Sequence, residues 1–307
     1  MNTFRGVHEL IGNTPLVEIT RFSLPKDVRI FAKLEYFNPG GSIKDRLGKH
    51  MIEDALDKGL VKRGGTIIEP TAGNTGIGLA LAALQYDIHV IVCVPEKFSI
   101  EKQELMRALG ATVVNTVTEE GMTGAIAKAK ELLQEIPNSY CPQQFANYAN
   151  PDTYFKTLGP EIWADLDGKV DIFVAGAGTG GTFMGTATYL QEQNPNLKSV
   201  IVEPVGSILN GGQSGPHETE GIGMEFLPPF MNTNYFHSIH TVSDRDAFHR
   251  VKELAKLEGL LVGSSSGSAF HASLLEAENA KPGTNIVTVF PDGSERYLSK
   301  DIYKGWD

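Results

Sequence analysis

DIFVAGAGTGGT, residues 171–182, joins a run of strand-forming residues to a glycine-rich turn and then to a helical segment. The run Asp171-Ile172-Phe173-Val174-Ala175 has the unbroken apolar character of a strand covered on both faces, the habit of parallel sheets. The helix that opens after Gly181 leads to SVIVE (199–203), so strand, helix and strand make one β-α-β unit. The first half of the chain alternates in the same way. TIIE (66–69) precedes an Ala/Leu-rich helix from about Ile77, and HVIVCV (89–94) precedes a helix from the cap-like Ser99 to Gly110. The strand 111–116 precedes a helix over 122–134; helices at 251–257 and 269–277 and the strand NIVTVF (285–290) complete the second half. This spacing predicts an α/β protein with two doubly wound open-sheet domains and a junction near 147–151. Such sheets bind ligands at the carboxyl ends of their strands.

Composition narrows the function. The 27 Lys+Arg against 37 Asp+Glu leave a net charge of −10, which argues against nucleic acid or an anionic membrane as partner. Glycine is over-represented, with 33 in 307 residues against a usual share of about 7%, so many turns should need positive φ or close approach to a ligand. Cys93 and Cys141 are the only cysteines. They provide neither a metal cluster nor a disulfide framework and read as buried thiols. The N-terminal MNTFRGVHELIGNTPLVEI lacks a charged region followed by an apolar core. The most apolar run, 77–84, is under half of the ~20 residues that a membrane span requires. A cytoplasmic protein is expected.

Three loops and one helix start hold the residues with chemistry. In Asn38-Pro39-Gly40-Gly41-Ser42-Ile43-Lys44-Asp45-Arg46, Ser42 is a plausible N-cap for a helix whose apolar face is Leu47, Met51, Ile52, Ala55 and Leu56. Lys44 then lies in the first turn, where the helix dipole disfavours a cation and lowers the cost of a neutral, imine-forming amine. A solvated lysine near a helix start is the plain alternative. Glu69-Pro70-Thr71-Ala72-Gly73-Asn74-Thr75-Gly76 offers backbone amides with Thr and Asn side chains, a receptor for an anion or carbonyl, although an ordinary turn uses the same residues. Gly176-Ala177-Gly178-Thr179-Gly180-Gly181-Thr182 satisfies G-x-G-x-x-G, and Glu203 ends the next strand where a ribose-binding acid would lie. That reads as a dinucleotide site; the hydroxyls of Thr179 and Thr182 suit one terminal phosphate monoester equally well. Gly263-Ser264-Ser265-Ser266-Gly267 is either a flexible helix cap or a hydroxyl placed against a heteroaromatic nitrogen.

Taken together, NPGGSIKDR around Lys44, PTAGNTG around Asn74, GTGGT at 178–182 and GSSSG from Gly263 resemble the cysteine synthase and cystathionine β-synthase family. These are pyridoxal-phosphate enzymes of fold type II, the tryptophan synthase β-like architecture. The resemblance runs from IGNTPL (11–16) to ERYLS (295–299). It implies pyridoxal 5'-phosphate as cofactor, held covalently by Lys44. Asn74 would bond the ring hydroxyl oxygen, Gly178, Thr179, Gly180, Gly181 and Thr182 the phosphate, and Ser265 would face the pyridine nitrogen. Thr71, Ala72, Asn74, Thr75 and Gln144 would grip the substrate carboxylate, and Gly221-Ile222-Gly223 would line the opposite wall. No metal is implied. A smaller mobile domain of residues 45–145, a larger cofactor-binding domain of 1–44 with 146–307, and a homodimer are expected on the same ground. Ala72 departs from the serine frequent in the family, and Tyr154 stands where a histidine is common.

The reaction implied is β-replacement. Lys44 would take the Cα proton of O-acetylserine or serine, the Cβ leaving group would depart, and a thiol would add at Cβ. Stretches such as MIEDA (51–55), PEK (95–97), GSIL (206–209), EGIG (220–223) and the triple serine 264–266 look more like the cystathionine β-synthase branch. Homocysteine is therefore the expected acceptor and cystathionine the product, with sulfide, as in cysteine synthase, the alternative. Only the catalytic core is expected, without a C-terminal regulatory module or an N-terminal haem-binding extension. A serine/threonine dehydratase shares the lysine chemistry, an NAD oxidoreductase would rest on Gly176–Gly181 with Glu203, and a binding protein would dispense with Lys44.

Overall fold

A computed structural model describes residues 3–71 and 73–305. In chain order the strands are β1 (Leu16–Ile19), β2 (Arg29–Leu34), β3 (Thr66–Pro70), β4 (His89–Pro95), β5 (Thr112–Thr116), β6 (Ser139–Tyr140), β7 (Ile172–Gly176), β8 (Lys198–Pro204), β9 (Ser238–Val242) and β10 (Asn285–Phe290). The helices are α1 (Lys44–Asp57), α2 (Asn74–Tyr86), α3 (Ile100–Ala108), α4 (Gly121–Glu135), α5 (Ala149–Lys156), α6 (Leu158–Asp165), α7 (Gly181–Gln193), α8 (Asp244–Glu253) and α9 (Ser264–Glu278). The chain divides into two compact units. The first gathers the residues up to Ile11 with Asn38–Asn150; the second takes Gly12–Phe37 and the chain from Pro151 onward.

The first unit is built on a parallel sheet of order β5-β4-β3-β6. Ile68, Ile91 and Cys93 form a core with Ala125 and Ala129 of α4. Because side chains alternate along a strand, the buried Ile67, Val90 and Val92 point to the opposite face, where α2 packs on β4. The second unit has the order β1-β2-β10-β7-β8-β9, parallel except for the antiparallel edge strand β1. Val174, Val200, Val202 and Ile286 bury one face under Phe248, Val251 and Phe270 of α8 and α9. Phe173 covers the other, stacked with its ring centroid 6.2 Å from that of Phe183 of α7. Each sheet is thus doubly wound, as the alternating pattern predicts.

Two helix starts differ from the sequence reading. The segment expected at 251–257 begins at Asp244, because Ser243 Oγ accepts the Asp246 amide at 3.1 Å, and it ends in a π-turn over Leu254–Glu258. α9 begins at Ser264 rather than near residue 269, and its polar first turns are buried; packing overrides the weak helix propensity of Ser and Gly. Ser99 stands at the N-cap of α3 with φ +41 and makes no capping bond with its side chain.

One buried ion cluster fastens β2 to α6. Lys33, 1% exposed, donates to the Thr14 carbonyl at 2.7 Å and to Asp165 Oδ2 at 2.8 Å, with Glu161 Oε2 at 3.1 Å. Lys33→Met is expected to destabilise the protein by about 2–3 kcal/mol, below the 3–5 of a fully enclosed pair because Asp165 reaches water. A urea midpoint unchanged from the parent protein would show that the cluster contributes nothing net.

Candidate active site

In the first unit the turn before α1 is closed by its own residues. Gly41, at φ +78, donates its amide to the Asn38 carbonyl at 2.7 Å, and the Gly40 amide donates to the buried Asp45 carboxylate at 2.5 Å. Ser42 is not the N-cap: the backbone is already helical at Ile43, and Lys44 is the first residue of α1. The Ser42 hydroxyl nonetheless accepts the Lys44 amide at 3.2 Å. The acidic Asp45 in the first turn complements the positive end of the helix, and Lys44 itself is only half-buried.

Two glycines then fasten the Lys44 helix to the Asn74 helix. A Cβ on Gly48 would overlap the Gly78 carbonyl and approach the Leu79 amide nitrogen to 2.5 Å. A Cβ on Gly78 would overlap the Lys44 carbonyl oxygen and stand 2.7 Å from its carbon. Backbone thus packs on backbone, and Asn74 starts α2 one turn, about 6 Å along the axis, from that contact.

The start of α2 is left open for a ligand. Its N-cap is Gly73, which makes no side-chain capping bond, and nothing lies within 4 Å of where a Gly73 Cβ would be. Thr71 is anchored by its amide to the Cys93 carbonyl at 3.1 Å, and its hydroxyl accepts the Gly73 amide at 3.3 Å. The Thr75 hydroxyl donates to Gln144 Oε1 at 2.8 Å, which leaves the Gln144 amide nitrogen as a donor toward a carboxylate. Ala72 lies outside the described residues. Beneath this loop sits Glu69, buried and absent from the sequence-derived site. Its carboxylate accepts the Gln143 amide at 3.2 Å and the Cys141 thiol at 3.5 Å. Burial pushes the Glu69 carboxyl up to about 7. Burial also raises both thiols, Cys93 to about 11, so they stay protonated and unreactive.

In the second unit, β7 runs into the glycine turn and α7. The N-cap of α7 is Gly180, at φ +83 and again without a side-chain cap. Its first amides are therefore available to an anion. The Gly181 amide reaches the Thr179 hydroxyl at 3.5 Å, and Thr182 is half-buried in the first turn. The irregular segment 220–223 walls this turn: the Gly223 amide donates to the Ala177 carbonyl at 2.9 Å, and a Cβ on Gly178 would overlap the Gly221 carbonyl. The segment continues to α9, whose Ser264 hydroxyl accepts the Glu220 amide at 3.0 Å. A Gly221 Cβ would lie 3.9 Å from the Ser265 hydroxyl oxygen, so Ser265, Gly221 and the 178–182 turn form one surface. α9 likewise has a bare glycine N-cap, Gly263. Three of the four helices that start at the sequence-derived motifs, α2, α7 and α9, are thus capped by glycine, whereas α8, away from them, has its serine cap. A cradle of uncapped amides with no room for a Cβ fits a phosphate monoester.

Glu203 does not fit the dinucleotide alternative. It is buried, and its carboxylate accepts Leu209 N at 2.8 Å, Asn210 N at 3.0 Å and Thr241 Oγ1 at 2.9 Å. It fastens the turn after β8 and has no reach for a ribose.

Two units, each built on a doubly wound sheet, match the architecture of fold-type II pyridoxal-phosphate enzymes. The chain belongs to the pyridoxal-phosphate dependent enzyme family, whose model matches residues 7–292. It is 61% identical over 305 residues to the O-acetylserine dependent cystathionine beta-synthase of Bacillus subtilis (strain 168), covering 99% of each chain. It is 53% identical over 299 residues to a cysteine synthase of Helicobacter pylori (strain ATCC 700392 / 26695), covering 97% of this chain and 98% of that one. The crystal structure of an O-acetylserine dependent cystathionine beta-synthase from Helicobacter pylori superposes with a TM-score of 0.94 at 52% identity, over 99% of this chain and 100% of that one. Among the described residues no helix is long and apolar enough to cross a membrane.

Proposed function

We propose that the protein joins homocysteine to Cβ of O-acetylserine, giving cystathionine and acetate. The observation that carries the reaction class is the glycine contact that sets the Lys44 helix start beside the open start of α2. In this reading residues 178–182 hold the cofactor phosphate, Asn74 the ring oxygen, and Ser265 faces the ring nitrogen as a neutral hydroxyl. Bound pyridoxal phosphate supplies an electron sink for the charge that develops at the substrate Cα. Lys44 fastens the cofactor and, once displaced by substrate, moves a proton off and back onto Cα as a neutral amine. The α2 amides, Thr71 and the Gln144 amide nitrogen hold the substrate carboxylate; Thr75 acts through its backbone and by orienting Gln144.

Homocysteine as acceptor is supported by the name of the Bacillus subtilis relative. Sulfide, giving cysteine, is the second reading and is favoured by the name of the Helicobacter pylori relative at 53% identity. We also infer that residues 45–145 form a smaller mobile domain carrying the substrate-carboxylate loop, that 1–44 with 146–307 form a larger cofactor-binding domain, and that the enzyme is a cytoplasmic homodimer. Supplying O-acetylserine with equal homocysteine and sulfide tests the acceptor. Cystathionine should dominate. Cysteine in its place establishes the second reading, and pyruvate formed without consumption of either thiol overturns replacement altogether.

A further inference from the structure

We propose that Glu69 is a positioning residue for the substrate-carboxylate site, acting through Gln144 rather than on the substrate. The inference rests on the reading of that site given above. Glu69 is the one ionisable residue in the otherwise apolar run TIIE, and it sits at the carboxyl end of the sheet, immediately before Pro70 and Thr71. By strand alternation it points away from the face covered by α4. Its carboxylate accepts Cys141 Sγ and Gln143 N. It therefore holds the segment that follows β6, in which Gln143 adopts a left-handed φ of +54. From the other side, Asn150 Nδ2 donates to the Gln144 carbonyl at 2.7 Å. Held through the amide of the preceding residue and through its own carbonyl, Gln144 presents its side chain to the Thr75 hydroxyl at 2.8 Å.

A residue that only filled space here would be aliphatic, since burying an ionisable group costs free energy unless its bonds are needed. The titratable groups around Glu69 are Cys141 and Tyr140 from the β6 side, with Cys93 of β4 acting on Cys141. Asp54 of α1 acts on Tyr140, and Lys128 and Glu131 of α4 act on Cys93. The ionised form accepts both donors; the protonated form gives up one acceptor position to its own proton. The carboxylate site should accordingly tighten as the pH rises through about 7.

The test uses the holoenzyme and two variants. Glu69→Gln keeps an oxygen for the Gln143 amide; Glu69→Leu removes both acceptor oxygens at similar volume. Each is titrated with L-serine, read from the shift in the cofactor absorbance, and assayed with O-acetylserine. The expected result is a ~10-fold or greater rise in KM and in the L-serine dissociation constant for Glu69→Leu, a rise of ~3-fold for Glu69→Gln, and kcat nearly unchanged in both. The component of binding that titrates near pH 7 should vanish in Glu69→Gln. In a Gln144→Ala background Glu69→Gln should add nothing further, because both changes act through one side chain. If Glu69→Leu does not fold, the Gln variant and the Gln144→Ala cycle decide. Unchanged binding in a variant, with a normal wild-type response, overturns the inference alone. A wild-type cofactor band that ignores L-serine and O-acetylserine overturns the reading of the site, and this inference with it.

Discussion

Lys44→Ala is expected to abolish β-replacement, with turnover falling by at least ~10³-fold, while the fold and the non-covalent hold on the cofactor phosphate survive. Lys44 is half-buried at the first position of α1, where its amide donates to Ser42 Oγ at 3.2 Å and its carbonyl lies against Gly78. Truncation at Cβ leaves both in place. Lys44→Arg should be equally inactive, because a guanidinium keeps the charge and cannot lose its proton in the protein. The measurements are borohydride trapping followed by peptide mass spectrometry, and turnover with O-acetylserine. Label on another lysine, or either variant retaining more than a few per cent of activity, refutes the assignment.

The second large effect is structural in origin and catalytic in consequence. Gly78→Ala should lower the melting temperature by ~5–10 °C and strip the protein of pyridoxal phosphate on dialysis. In an isolated helix the change would be favourable by about 1 kcal/mol, since Ala is the better helix former. Here the added carbon overlaps the Lys44 carbonyl and stands 3.1 Å from the Asp45 amide nitrogen. Main-chain atoms cannot move aside as a rotamer can, so the two helix starts must separate. The loss should therefore exceed the ~1–3 kcal/mol of ordinary overpacking. Gly48→Ala attacks the same contact from the other helix and should act in the same direction. A variant with parental melting temperature and cofactor content would show that the glycine contact does not set the site.

The glycine turn at 178–182 is legible for the same reason as the strands: a glycine turn between an apolar run and a helical run is a local pattern. Glu69 was visible as a lone acid in TIIE, and that mismatch between an ionisable residue and a buried strand was the available signal. Its partners lie more than seventy positions away, so no local reading could say whether it was paired, exposed or functional. Glu203 shows the converse. Its place near the end of β8 suited a ribose-binding acid, and only the three donors it already serves removed that option. Ser42 and Ser99 have the residue type of a cap, yet the backbone turns helical one residue later at Ile43 and left-handed at Ser99. The start of α9 escaped the pattern because its serines are held helical by burial.

The sequence by itself determined the alternation of strands and helices, the two parallel sheets and the motifs that mark the family, because each depends on residues within about ten positions of one another. Only the tertiary structure decided which helices touch, and through which atoms. The Gly48–Gly78 contact, the Glu69–Gln144 path and the internal use of Glu203 arise between segments distant in the chain. Close packing lets backbone meet backbone only where side chains are missing, and a buried polar group must find its partner wherever the fold brings one.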